Sequence, residues 1–149
     1  MKLIRTTSDN TDFQQLVIQL DHYLKIVDGE DHEFYAQFNK TGMMKNVVVC
    51  YENGVAVGCG AFKEYEIHTA EIKRMFVLPE HRKKGIASKI LAELEVWAHE
   101  EKYTTCILET GIMQQPAISL YQTLGYSIIE NYGQYKDVEN SICMKKDLK

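Results

Sequence analysis

Val77-Leu78-Pro79-Glu80-His81-Arg82-Lys83-Lys84-Gly85-Ile86-Ala87 joins a strand to a helix through three consecutive cations and a glycine. Pro79 stops the strand, because it has no N–H to donate and fixes its own φ. From Gly85 onward Ala87, Ile90, Leu91, Leu94, Trp97 and Ala98 recur as one apolar helical stripe. A helix N-terminus exposes unpaired N–H groups and carries about half a positive charge. A strand–loop–helix junction with glycine at the point of close approach is therefore an anion site. Arg82, Lys83 and Lys84 add charge at its mouth, suited to a pyrophosphate or a phosphate monoester. The competing local reading is a solvated basic loop that only caps a helix. The stretch lacks GxxxxGK[ST], so it is no Walker P-loop. Gly58-Cys59-Gly60 lies inside a strand and opens no helix, so it is no dinucleotide fingerprint.

Working outward, residues 2–6 read as a first strand. Thr11-Asp12-Phe13-Gln14 fits a capping box, and Phe13, Leu16, Val17, Leu20, Leu24 and Val27 follow at helical spacing. A short second helix is expected over His32–Phe38. Asn46–Glu52 is β-rich, and Asn53-Gly54 is a hairpin turn, because both central residues of a type I′ turn need φ > 0. Strands are expected at Val55–Tyr65, Thr69–Leu78, Thr104–Glu109, Tyr126–Glu130 and Ser141–Lys146. Pro116 suits the first turn of a helix that ends at Gly125. The order β-α-α-β-β-β-α-β-α-β-β is a mixed α/β sheet, without the strict alternation of a doubly wound fold.

The chain has 149 residues, 45% hydrophobic and 26% charged, which predicts one globular domain over residues 1–149. Seventeen Lys and Arg against 21 Asp and Glu give a net charge of −4, a poor field for nucleic acid. No run is long and apolar enough to span a membrane, and the first residues lack the apolar region of a signal peptide. Cys50, Cys59, Cys106 and Cys143 form no CxxC pair and sit in strand-like runs, as reduced thiols of a cytoplasmic protein do. The five histidines include no HExxH, and no metal is expected.

Arg82-Lys83-Lys84-Gly85-Ile86-Ala87 resembles the R/Q-x-x-G-x-G/A signature of the GCN5-related N-acetyltransferases (GNAT). Glu71-Ile72-Lys73-Arg74-Met75-Phe76-Val77 before Pro79 looks like that family's fourth strand. Ala117-Ile118-Ser119-Leu120-Tyr121-Gln122-Thr123-Leu124-Gly125-Tyr126 is similar to its A-x-x-L-Y-x-x-x-G-F/Y segment. The motifs stand in the family's order over roughly residues 2–148. The resemblance implies acetyl-CoA as co-substrate, bound where two central parallel strands splay apart. It implies that backbone N–H groups of Arg82, Lys83, Lys84, Gly85, Ile86 and Ala87 hold the pyrophosphate. It further implies that the backbone of Phe76 and Val77 pairs with the pantetheine arm, and that Ser119 and Tyr121 face the pantetheine and the thioester. The family often has Asn three residues before the alanine of its last motif. This chain has Gln114 there, a departure that bears on the side-chain contact to the pantetheine.

Acetyl transfer to an amine needs the amine deprotonated, the oxyanion stabilised and the thiolate protonated. An alkyl amine has a pKa near ~10, so a carboxylate beside the cleft serves to attract the ammonium and drain its proton. Glu71 stands at the spacing where some family members carry such a base. Strict alternation places Glu71, Lys73, Met75 and Val77 on one face of the strand. The alternative, a structural partner of Lys73 or Arg74, stays open. By resemblance, Tyr121 gives a proton to the departing thiolate; the alternative is a core tyrosine. No feature activates a cysteine.

Tyr132 and Tyr135, in Asn131–Tyr135, are candidate substrate contacts, and Glu64 and Glu66 candidate sources of negative charge at the acceptor end. The function implied is an acetyl-CoA-dependent N-acetyltransferase using direct attack in a ternary complex. The alternative is a non-catalytic acyl-CoA-binding sensor. Expected partners are a small-molecule or protein amine, with no nucleic acid and no membrane; a homodimer is left open.

Overall fold

The computed structural model describes residues 1–28 and 43–149. The helix expected over His32–Phe38 lies outside them. Strand β1 (Lys2–Thr6) leads to helix α1 (Thr11–Asp28), then β2 (Asn46–Glu52), β3 (Val55–Glu66) and β4 (Thr69–Val77) form a meander. Helix α2 (Ile86–Glu100), β5 (Thr105–Gly111), α3 (Gln115–Thr123), β6 (Ser127–Ile129) and β7 (Ser141–Asp147) complete the order. The seven strands make one sheet in the order β1-β2-β3-β4-β5-β7-β6. The expected mixed α/β architecture is present.

Local chemistry explains the element ends. Asn53 and Gly54 both take positive φ, 53° and 79°, as the β2–β3 hairpin turn requires. The cap of α1 is Asn10 rather than Thr11: its Oδ1 accepts the Phe13 N–H at 2.8 Å, and Gln14 turns its amide to the Ser8 carbonyl. Asn is the stronger cap, and it moves the start of the motif back by one residue. Helix α1 buries Phe13, Leu16, Val17 and Leu20 on one face of the sheet. Helix α2 buries Ile86, Ile90, Leu91, Leu94 and Ala98 on the other. Gly60 makes the second contact close. A Cβ there would run into Met75 Sδ and stand 2.9 Å from Ile90 and Leu94. All four cysteines are free and buried.

One break in the sheet positions everything that follows. Strands β4 and β5 are parallel, and they pair only over Thr69–Glu71 against Thr105–Ile107. Beyond that point β4 stays paired with β3, and β5 with β7, as far as Val77 and Gly111. The two centre strands part and leave a wedge, the splay that the resemblance implies.

Candidate active site

The wedge begins at Glu71, and a backbone irregularity decides what faces it. Arg74 has φ +60°, and Arg74 and Met75 together stand opposite Gly60, between the pairs Ala61↔Lys73 and Cys59↔Phe76. Two residues against one is a β-bulge, which resets the alternation of side chains. Ala70 and Ile72 before it, and Met75 and Val77 after it, pack on the α2 side, while Phe76 packs on the α1 side. The expectation of one shared face is therefore corrected. Glu71 and Lys73 lie on the face opposite Met75 and Val77, turned toward α1.

A cleft of about 140 Å³ opens between the parted strands. Glu71, Lys73 and Arg74 line it from β4, Glu109 and Thr110 from β5, and Gln114 and Tyr121 from the α3 region. Leu20 and Leu24 of α1 close one side.

Glu71 is 2% exposed. Its Oε2 accepts a hydrogen bond from the Tyr132 hydroxyl at 2.7 Å, and its Oε1 lies 3.9 Å from Lys63 Nζ. The Arg74 guanidinium pairs with Asp21 of α1, Nη1 to Oδ1 at 3.0 Å and Nη2 to Oδ2 at 3.3 Å. Burial, then the nearby charge and hydrogen bond of Glu71, hold the Tyr132 phenol far above the usual tyrosine range. The Tyr132 ring meets Tyr65 edge-on at 5.1 Å and Tyr135 at 5.8 Å. Tyr132 contacts Glu71 and is not among the cleft-lining residues, and Tyr135 is 1% exposed, packed with Cys143 beneath the loop. Glu64 turns its carboxylate to the Tyr103 hydroxyl, which packs with the core on the α2 side, away from the Glu71 face.

Tyr121 sits within the cleft wall, edge-on to Tyr126 at 5.9 Å. Its hydroxyl bonds no other described side chain, and burial pushes its pKa up to about 12, so the phenol keeps its proton at working pH. Ser119 is exposed and does not line the cleft. It stands two residues from Tyr121, about 200° round a helix with 3.6 residues per turn. The two side chains therefore leave the helix in different directions. Gln114 does reach the cleft, its amide lying against Gly111.

In the turn before α2, Lys83 and Gly85 have φ of 65° and 80°, bracketing Lys84. Such a turn aims successive N–H groups into one concavity. Helix α2 then starts at Ile86 with no side-chain cap, so its first N–H groups are unclaimed by one. A Cβ on Gly85 would meet nothing within 4 Å. The side chains are another matter. Arg82 folds back, Nε donating to the Val77 carbonyl at 2.9 Å and its guanidinium lying over Tyr23 and Phe76 at 5.2 and 5.6 Å. Lys84 Nζ lies 3.7 Å from Glu52. Two of the three cations are thus engaged by protein groups, and Ile86 is buried. The Val77 carbonyl keeps a second lone pair.

Residues 14–126 match the family model described as Acetyltransferase (GNAT) family. The chain belongs to that family. This GNAT chain is 35% identical over 100 residues to YsnE of Bacillus subtilis, an uncharacterized N-acetyltransferase, with 66% of each chain covered. It is 31% identical over 136 residues to IAA acetyltransferase of Azospirillum brasilense, covering 90% of this chain and 89% of that protein. Among solved structures, a Klebsiella pneumoniae protein assigned as an acyl-CoA N-acyltransferase has a TM-score of 0.82 at 29% identity, covering 99% of this chain and 97% of that one. A GNAT acetyltransferase from Elizabethkingia anophelis, solved with acetyl-CoA bound, has a TM-score of 0.62 at 21% identity, over 78% of this chain and 82% of that one.

As a GNAT acetyltransferase the protein is an acyltransferase enzyme, and an acetyl-CoA-dependent N-acetyltransferase in class. Its residues fit acetyl-CoA on two observations: the strands are already parted, and the turn before α2 is open above Gly85. Among the described residues no group of three or more His, Cys, Asp or Glu is placed to hold a metal ion, and no helix is long and apolar enough to cross a membrane. Burial pushes the Cys59 and Cys106 thiols up to about 12, so they are poor nucleophiles.

Sequence reasoning missed three parts of this site. Tyr132 reaches Glu71 across 61 positions, which no local pattern reports. Lys63 approaches Glu71 from the neighbouring strand, and Glu109 enters the cleft from β5. The alternating run of β3 and the strand-like Thr104–Glu109 run placed these residues in a sheet, but not beside one another.

Proposed function

We propose that the protein transfers the acetyl group of acetyl-CoA to a primary amine by direct attack in a ternary complex. The observation that supports this most is that Glu71 and Tyr121, from different elements, line one cleft at the point where β4 and β5 part. In the transfer, the amine nitrogen bonds to the thioester carbonyl carbon, the C–S bond breaks, the amine gives up its protons and the sulfur gains one. Glu71 attracts the ammonium and accepts a proton, directly or through water. Tyr121 holds a proton for the departing sulfur. Tyr132 orients the Glu71 carboxylate, as a buried carboxylate needs a donor to be retained in one geometry.

In this reading the donor lies along the wedge, its pyrophosphate on the turn at Lys83–Gly85 and the α2 N-terminus, its arm beside Val77 and Gln114. The buried free thiols suit a reducing compartment such as the cytoplasm. The test is release of coenzyme A, followed with a thiol-reactive dye, over a panel of small amines and peptides. Amine-dependent release supports the reading. Binding of acetyl-CoA without release to any amine identifies an acyl-CoA sensor instead.

A further inference from the structure

The Tyr132 hydroxyl reaches Glu71 from the loop between β6 and β7. A catalytic group tolerates little misplacement, since about 1 Å costs on the order of a hundredfold in rate. The contacts of Tyr132 with Tyr65 and Tyr135, at 5.1 and 5.8 Å, act on its ring and not on the backbone from which it departs. Asn131 acts on that backbone. It directly precedes Tyr132 and is half-buried. Its Nδ2 donates to the Val138 carbonyl at 2.9 Å and to the Ser141 carbonyl at 3.1 Å. Both neighbours are acceptors, so only the NH2 end of the amide suits them, and one planar group sets two donors across the neck of the loop. Within the loop, the Ser141 N–H donates to the same Val138 carbonyl at 3.2 Å, and the Tyr135 N–H to the Tyr132 carbonyl at 2.9 Å. Gly133 has φ +51°, and a Cβ there would stand 3.0 Å from the Tyr65 hydroxyl, so the closed loop lies tight against β3. The Asn131 amide is used on these carbonyls, and its effect on Glu71 runs through Tyr132.

We propose that Asn131 is a positioning residue for acetyl transfer: its amide closes the β6–β7 loop and thereby places the Tyr132 hydroxyl on Glu71. This rests on the reading of Glu71 as the base and carries it one residue further out. A loop staple that served stability alone would change the rate whether or not the Tyr132 hydroxyl were present. A positioning residue needs that hydroxyl.

The experiment is a double-mutant cycle on kcat/KM, with acetyl-CoA as donor and the panel amine that turns over fastest. Asn131→Ala alone should lower kcat/KM roughly three- to tenfold, and by no more than Tyr132→Phe does. In the Tyr132→Phe background the same change should cost less than about twofold, because the group it positions is gone. Asn131→Leu, similar in size, uncharged and without donors, replaces Asn131→Ala should that variant fail to fold. Losses that multiply in the double variant, or a single variant as fast as the wild type, overturn the assignment while leaving amine transfer in place. Failure of both Asn131 variants to fold marks the residue as structural and overturns it too. If neither Tyr132→Phe nor Glu71→Gln slows the reaction, the reading of Glu71 falls and this inference with it.

Discussion

The Tyr132 hydroxyl donates to Glu71 Oε2 at 2.7 Å, tying the loop before β7 to the first residue of the wedge. That bond holds a nearly sealed carboxylate to one rotamer, with Lys63 Nζ 3.9 Å from its other oxygen. Tyr132→Phe keeps the ring contacts with Tyr65 and Tyr135 and removes the donor. A hydrogen bond to a charged group contributes about 1.5–3 kcal/mol. The expected outcome is a lower melting temperature and a kcat/KM roughly tenfold down, with acetyl-CoA affinity retained. Thermal melts and steady-state kinetics on the same preparation check it.

Glu71→Gln keeps an acceptor oxygen for Tyr132 and removes the base. If Glu71 drains the ammonium proton, kcat/KM falls steeply near pH 7. The defect should shrink as pH rises toward the amine's own pKa, since the free amine then arrives deprotonated. A pH–rate profile beside the wild type is the measurement. A loss of the same size at every pH would mark Glu71 as structural.

Tyr121→Phe removes one hydroxyl that bonds no other described side chain, so stability should change little. We expect kcat to fall roughly tenfold or more, approaching the 10²–10⁴ typical of general acid catalysis if chemistry limits the rate, with cofactor affinity held. Pre-steady-state mixing that isolates the chemical step would show an unchanged rate if the residue were only core.

Acetyl-CoA at a hundredfold excess over its Kd should stabilise the fold by about 2.7 kcal/mol. Gly85 has φ +80°, where a side chain costs roughly 1–2 kcal/mol, and any side chain there would stand over the open turn. Gly85→Val should therefore both destabilise the free protein and abolish most of the ligand-induced shift in Tm. Normal acetyl-CoA binding by that variant would remove the turn from the anion site.

Alkaline pH should destabilise the protein early. Burial pushes the Cys143 thiol up to about 11, Cys59 and Cys106 up to about 12, and Tyr121 up to about 12. In the unfolded chain thiols ionise near 8.5 and tyrosines near 10, so above about pH 8.5 the unfolded state holds fewer protons than the native one. Stability is then full below that pH and falls as pH rises, by up to about 1.4 kcal/mol per pH unit for each thiol that ionises only on unfolding. Melting temperatures from pH 7 to 10 in reducing buffer follow it. A flat profile would show that these thiols titrate normally in the folded protein.

What the chain alone determines is whatever depends on neighbours in sequence. Periodicity of two and of 3.6, a proline that stops β4, an Asn-Gly hairpin and a glycine before α2 are local steric facts, and they delivered the order of the described elements and the turn before α2. The tertiary structure decided the rest. Alternation along β4 predicts Glu71 and Met75 on one face, but Arg74 and Met75 share one partner position opposite Gly60, and that bulge puts Glu71 and Met75 on opposite faces. Arg82 looks like a free cation in the sequence, yet aromatic faces from α1 and β4 draw it back from the turn. Glu71 acquires its donor from a loop that only the β5–β7–β6 pairing brings alongside. Each of these turns on contact between segments far apart in the chain, where packing and desolvation outweigh local preference.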